Sequence, residues 1–207
     1  VELVFDNKDL KVYCFEANPV LAESEIELLL KRLPLFMQER INKYQNQLDK
    51  QLRIYGKLLL EQLIKDFNLE DRLHINQIQY TEHNQPFFNY DFFFSTAHAR
   101  NRVVCAASKT KNVGVDIEAI VPRDLNEYIN FLSDKELLKI QKSDFPLKEF
   151  YTIWTKKEAL SKATGLGGSI DFKGNSVTEN KILFGEKAYD FYELPVSPGF
   201  VVTLAVG

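Results

Sequence analysis

Three carboxylates and two lysines sit in patterns that could handle a phosphate. In Val113-Gly114-Val115-Asp116-Ile117-Glu118 the aliphatic residues alternate with Gly114, Asp116 and Glu118. A strand here would bury the aliphatics and present both carboxylates on its other face. Two residues of strand separate them by roughly 6.6 Å along the backbone, near enough to share one hard cation or its waters. In Trp154-Thr155-Lys156-Lys157-Glu158-Ala159-Leu160-Ser161-Lys162, residues 154, 158 and 162 are spaced i, i+4, i+8, so Trp154, Glu158 and Lys162 share one face of a helix. Lys157 is turned about 100° from Glu158 and would reach the same site from the flank. Mg²⁺ takes oxygen ligands and is completed by substrate phosphate oxygens, so these carboxylates suffice for it, while Lys157 and Lys162 neutralise charge on a pyrophosphate. Taken singly, the first stretch also reads as a strand with a wet polar face, and Glu158 with Lys162 as an ordinary helix ion pair. Gly114 inside a strand marks close approach by a ligand or another backbone.

The elements that must position these groups are legible from periodicity and punctuation. Strands are expected at Leu3 to Phe5 and Lys11 to Glu16, then a helix capped by Ser24 and broken by Pro34. A second helical stretch carries Arg40, Lys43 and Tyr44. A third runs from about Asp49 to Phe67, with Leu52, Tyr55, Leu59, Leu63 and Phe67 as its apolar stripe and Arg53 and Lys57 off it. Strands follow at Ile75 to Tyr80, Asp91 to Thr96 and Arg102 to Ala107, with a turn at Asn84-Gln85-Pro86. Beyond the carboxylate strand come a short helix over Asp124 to Phe131 and one opened by a Ser133/Glu136 capping box. The long helix runs from about Leu147 to Thr164 and stops at Gly165. Strands at Ser169 to Val177, Lys181 to Phe184, Ala188 to Leu194 and Phe200 to Val206 end the chain. Helices followed by antiparallel strands, twice over, predict an α+β fold rather than a doubly wound sheet. The division falls near residues 106 to 112, giving halves 1–106 and 107–207.

With 207 residues and 45% hydrophobic content the chain can bury a substantial core. A net charge of −3 argues against a nucleic-acid binder that relies on a global basic field. No basic and apolar leader and no membrane-length run are present, so a cytoplasmic protein without a membrane partner is expected. Cys14 and Cys105 are isolated in apolar stretches and read as buried free thiols. His98, His74 and His83 show no metal spacing.

The two motifs together resemble the larger, surfactin-synthetase-activating (Sfp) type of 4'-phosphopantetheinyl transferase. Its signatures are a G-[IV]-D-[IVL]-E strand and a W-x-x-K-E-x-x-x-K helix, matched in full by Gly114 to Glu118 and Trp154 to Lys162. The resemblance extends to His98 and Val103-Val104-Cys105-Ala106, to Asp49 through Leu60, and to Pro198-Gly199-Phe200. It implies two similar α+β halves forming a pseudo-dimer within a monomer, with the active site in the cleft between them. It implies Mg²⁺, or Mn²⁺, held by Asp116, Glu118 and Glu158, and coenzyme A held by Arg40, Arg53, Gln85, Pro86, His98, Lys157 and Lys162. The implied reaction moves the phosphopantetheine arm to a serine of an apo acyl or peptidyl carrier protein and releases adenosine 3',5'-bisphosphate, with Asp116, Glu158 and Lys162 catalytic. Phe131 and Leu132, with Lys135 and Lys139, are expected to meet the carrier. The chain departs from the family at Ala97-His98-Ala99-Arg100, at Asn84-Gln85-Pro86 and at Met37. Arg53 and Arg100 are candidates to replace the missing coenzyme contacts. A Mg²⁺-dependent nucleotide phosphohydrolase and a non-catalytic carrier-binding homologue are the alternative readings.

Overall fold

The computed structural model describes residues 1–207. The chain opens with the hairpin β1 (Glu2–Asp6) and β2 (Leu10–Glu16), followed by α1 (Glu23–Leu30), α2 (Leu35–Asn42) and α3 (Gln47–Asp66). A short pair, β3 (Gln79–Tyr80) and β4 (Pro86–Phe87), precedes β5 (Phe93–Ala99), β6 (Arg102–Ser108) and β7 (Val113–Ala119). The remainder is α4 (Asp134–Lys142), α5 (Pro146–Thr164), β8 (Lys181–Phe184), β9 (Lys187–Glu193) and β10 (Phe200–Val206). The class is α+β, with two four-stranded antiparallel sheets ordered β1-β2-β6-β5 and β7-β10-β9-β8.

The layers follow from which face of each strand is apolar. Helices α1 to α3 bury Leu52, Leu60 and Leu63 against Val103, Cys105 and Ala107 of β6. The opposite face of that sheet, through Val12, Val104 and Ala106, packs on Val115, Ile117, Val202 and Leu204 of the second sheet. The far side of the second sheet carries Val201 and Ala205 against Phe150, Ile153 and Leu160 of α5. Strands β6 and β10, covered on both faces, accordingly read as near-continuous apolar runs. In both sheets the last strand, β6 or β10, lies between the strand that precedes the helices, β2 or β7, and the strand just before it, β5 or β9.

Four local expectations differ from the structure. Helix α1 is capped at Ala22, whose N–H donates to the Glu25 carboxylate at 2.8 Å, so Ser24 lies inside the helix. Residues 75–77 form a 3-10 turn rather than a strand, because the Gln77 side chain accepts from His74 N at 2.7 Å and the turn puts Ile75 and Ile78 in the core. Residues 125–131 are likewise 3-10. The expected strand over 169–177 is absent: its Phe172 and Asn175 carbonyls accept from Lys157 rather than from a neighbouring strand. No helix is long and apolar enough to cross a membrane. Cys14 and Cys105 are both buried and free.

Candidate active site in the cleft between the two sheets

Strand β7 positions the carboxylates as its alternation requires. Val113, Val115 and Ile117 enter the core between the sheets, leaving Gly114, Asp116 and Glu118 on the face toward α5. Gly114 answers to a backbone: a Cβ there would collide with the Ala159 carbonyl and lie 2.5 Å from Ala163 N. The absence of that side chain lets α5 lie directly on β7, which sets Lys162 beside Asp116. Lys162 Nζ lies 2.7 Å from Asp116 Oδ1 and donates to the Val115 carbonyl at 3.1 Å. From the other side, Val115 N donates to Ser95 Oγ of β5 at 3.1 Å, fastening the two sheets where the carboxylates emerge.

Helix α5 begins with Pro146 at its first turn and ends on Gly165 at φ +78°, the left-handed C-terminus that glycine favours. Trp154 belongs to an aromatic cluster, with ring centroids 4.9 Å from Tyr128, 6.0 Å from Phe131 and 5.9 Å from Phe172. It anchors the helix rather than meeting a ligand. The cleft itself has a volume of about 390 Å³ and is lined by Asp116, Glu118 and Lys162 together with Arg40, Arg53 and Lys57 of α2 and α3. His98 and Pro86 line it too. Each arginine lies over a tyrosine ring, Arg40 at 4.0 Å from the Tyr80 centroid and Arg53 at 3.6 Å from that of Tyr44. Burial, with Arg53 and Lys162 adding to it, pulls His98 below the ordinary imidazole range, so it is neutral near pH 7.

The three carboxylates carry more negative charge than the structure neutralises. Burial, and then the charge of Asp116, push the Glu118 carboxyl up to about 7. Burial and the same neighbour raise Glu158, and burial raises Asp116 against the pull of Lys162. Asp116 Oδ2 is buried with no hydrogen-bond partner. An orphaned carboxylate oxygen beside two further desolvated carboxylates suits a hard divalent cation. As the side chains stand, no group of three acidic, histidine or cysteine residues is arranged to hold an ion. Ionised Glu118 is therefore a stability cost in the metal-free protein, absent below about pH 4.5 and complete above about pH 7. Glu118→Gln should raise the unfolding free energy by about 1 kcal/mol at pH 8 in chelator, after discounting for solvent screening, and the gain should vanish near pH 4.5. Urea titrations at the two pH values measure this, and a gain equal at both would contradict it.

Other expected site residues lie elsewhere. Lys157 does not reach the cleft. Its ammonium and the Glu136 carboxylate of α4 are both 0% exposed and lie 2.9 Å apart, and it also donates to the Phe172 and Asn175 carbonyls at 2.5 and 3.1 Å. The 100° turn from Glu158 carries it to the α4 side of the helix, where it pins the 171–177 loop. Gln85 approaches Lys162 through its backbone: the amide donates to the Lys162 carbonyl at 2.6 Å, and the side chain does not line the cleft. Glu158 is half-buried, outside the cleft lining, but close enough to Asp116 for that charge to raise it. Arg100 sits in the β5–β6 turn at φ +51°, away from the cleft, so only Arg53 of the two candidate replacements lines it.

Leu132 is 0% exposed and belongs to the α5 core, whereas its neighbour Phe131 is 43% exposed and Ile129 45%. Lys139 is held by Glu149 at 3.0 Å, leaving Lys135 as the free cation there. Among the residues sequence reasoning passed over are Lys57, Tyr44 and Tyr80, which also line the cleft. The signal for Lys57 was its place one helical turn after Arg53, off the apolar stripe.

The profile of the 4'-phosphopantetheinyl transferase superfamily matches residues 112–193, which span β7 through β9 and so include Asp116, Glu118, Glu158 and Lys162. The chain is 29% identical over 147 residues to 4'-phosphopantetheinyl transferase gsp of Aneurinibacillus migulanus, covering 70% of this chain and 61% of that one. It is 37% identical over 78 residues to 4'-phosphopantetheinyl transferase HetI of a Nostoc species, covering 36% and 33%. To 4'-phosphopantetheinyl transferase AcpT of Salmonella typhi it is 30% identical over 95 residues, covering 43% and 50%. The chain thus spans less than two thirds of the length of each of these relatives.

Proposed function

We propose that this protein is an Sfp-type 4'-phosphopantetheinyl transferase that moves the arm of coenzyme A to a carrier-protein serine. The observation that carries the reading is one cleft whose lining joins the Asp116/Glu118 face and Lys162 to a set of unpaired cations, Arg40, Arg53 and Lys57. Such a cleft fits a ligand with a pyrophosphate near the carboxylates and further phosphate away from them. The halves 1–106 and 107–207 are read as equivalents around this cleft, supported by the shared order of their strands, and a monomer is the expected state.

Asp116, Glu158 and Glu118 would hold Mg²⁺ or Mn²⁺, which when bound supplies charge neutralisation at the pyrophosphate. Lys162, already fixed on Asp116 and the Val115 carbonyl, stands beside that position to stabilise the departing 5'-phosphate. Glu158, raised by its surroundings, accepts the proton of the attacking serine hydroxyl directly or through one water. The serine Oγ forms a bond to the β-phosphorus, the bond to the bridging oxygen breaks, and adenosine 3',5'-bisphosphate leaves with that oxygen. Neutral His98 offers the nucleotide a hydrogen bond without a charge.

Incubation with coenzyme A, Mg²⁺ and an apo carrier, followed by intact mass of the carrier, tests the proposal. Covalent gain of the phosphopantetheine arm is the expected result. Cleavage of coenzyme A with an unmodified carrier would instead indicate a phosphohydrolase, and no turnover would indicate a binding module. Phe131 and Ile129, with Lys135, form the carrier contact in this reading. Phe131→Ala should raise the KM for carrier about tenfold, the scale of a modest aromatic anchor, with the KM for coenzyme A unchanged. Unaltered carrier kinetics would remove this surface from the interface.

A further inference from the structure

We infer that Ser95 is a positioning residue for the metal site: its hydroxyl holds the Val115 peptide and, through it, the Asp116 carboxylate that would bind a divalent cation. The inference rests on the transferase reading and adds to it a residue that neither lines the cleft nor belongs to the carboxylate strand or the lysine helix. Strands β5 and β7 are edge strands, one of each four-stranded sheet, and no ladder joins them. A buried edge leaves the N–H and C=O of alternate residues turned away from the neighbouring strand and in need of other partners. At Val115, which is 0% exposed, side chains meet both needs. Its N donates to Ser95 Oγ at 3.1 Å and its carbonyl accepts from Lys162 Nζ at 3.1 Å.

Ser95 is itself buried and paired with Ala106 of β6, so its place is set by the first sheet. Its neighbour Thr96 lines the cleft instead, as the alternation of a strand requires. On the other side of Val115, the ammonium of Lys162 also donates to Asp116 Oδ1 at 2.7 Å, while Asp116 Oδ2 stays buried without a hydrogen-bond partner. The attachment therefore runs from the first sheet through Ser95 to the Val115 peptide, and from there to Lys162 and Asp116. A buried N–H that loses its acceptor is costly, and a strand relieves that cost by shifting. Asp116 is the next residue, so such a shift carries its carboxylate along. Gly114 leaves no slack toward α5, because β7 already lies against the backbone at Ala159 and Ala163. Mg²⁺ demands near-octahedral oxygen geometry, so a displaced carboxylate binds it poorly. Groups one step behind the ligands commonly govern metal affinity or activity by about 10- to 100-fold.

The test is titration of Mn²⁺ into the metal-free full chain, read by the electron spin resonance of the unbound ion, alongside arm transfer to an apo carrier. Ser95→Ala should weaken Mn²⁺ binding at least about tenfold and lower kcat by a similar factor. The KM for carrier should stay within about twofold, and binding of adenosine 3',5'-bisphosphate without divalent cation should be unchanged, since Ser95 touches neither ligand. Ser95→Thr, which keeps the hydroxyl, should bring Mn²⁺ affinity back to within about threefold of the wild type. Ser95→Cys, close in shape but a weak acceptor, carries the same expectation as the Ala variant if that one does not fold. A variant that is less stable yet binds Mn²⁺ as the wild type does would make Ser95 a structural residue only and overturn the assignment. A Thr variant as impaired as the Ala variant would overturn it too, and either result leaves the transferase reading intact. A wild-type chain that binds no Mn²⁺ and modifies no carrier would overturn that reading, and the assignment with it.

Discussion

Lys157→Ala should cost about 3–5 kcal/mol of unfolding free energy, the usual penalty for leaving one member of a buried ion pair without its partner. The Glu136 carboxylate would keep Ser133 N and Val177 N as donors, each at 2.8 Å, but would lose the only cation that reaches it. The Phe172 and Asn175 carbonyls would lose their donor as well, releasing the 171–177 loop from α5. Since a domain of this size is stable by only about 5–15 kcal/mol, the variant should unfold at markedly lower urea. Pairing Lys157→Met with Glu136→Gln should recover much of the loss, because no uncompensated charge then remains buried. If Lys157→Ala unfolds like the wild type but loses affinity for adenosine 3',5'-bisphosphate, the lysine faces the ligand and the buried pair is misassigned.

Glu158→Gln should lower kcat for arm transfer by about 10²–10⁴, the range for loss of a positioned general base. The substitution keeps the shape of the side chain and removes the charge that Asp116 and burial hold in a raised range. A carboxyl moved upward from its ordinary value is a better proton acceptor near neutral pH. Binding of adenosine 3',5'-bisphosphate measured without divalent cation should change by less than about threefold, since Glu158 lies outside the cleft lining. A parallel fall in nucleotide affinity and rate would make Glu158 a binding group, and wild-type turnover would remove it from the reaction.

Taken together with Glu118→Gln, these substitutions separate two kinds of charged residue that the chain uses in adjacent places. Glu118, desolvated and beside Asp116, is expected to cost stability when ionised, and in the proposed function it would help hold the metal. Lys157 is buried against Glu136, does not line the cleft, and is expected to act on stability. Both stand within or beside the same pair of motifs, so their importance to the protein cannot be ranked by proximity to a motif.

What the amino-acid sequence determined by itself is what periodicity encodes. The two-residue period of Val113 to Glu118 is enough to place both carboxylates on one face, and the apolar run of β10 is enough to bury that strand. The Ser133/Glu136 capping box and the Gly165 stop are local chemistry and appear as expected. Gly114 could be read as a point of close approach, but only the fold showed that α5 is what approaches. Tertiary structure alone decided between residues of the same type on the same element. Lys157 and Lys162 are both lysines of one helix, and their fates differ because Glu136 lies on one side of α5 and Asp116 on another. Phe131 and Leu132 are adjacent apolar residues, and which of them enters the core depends on how a 3-10 segment docks on α5. Lys57 joins Arg40 only because α2 and α3 pack side by side along the cleft. Sequence spacing fixes which residues share a face of an element, whereas the partner that face meets comes from distant parts of the chain and is set by packing.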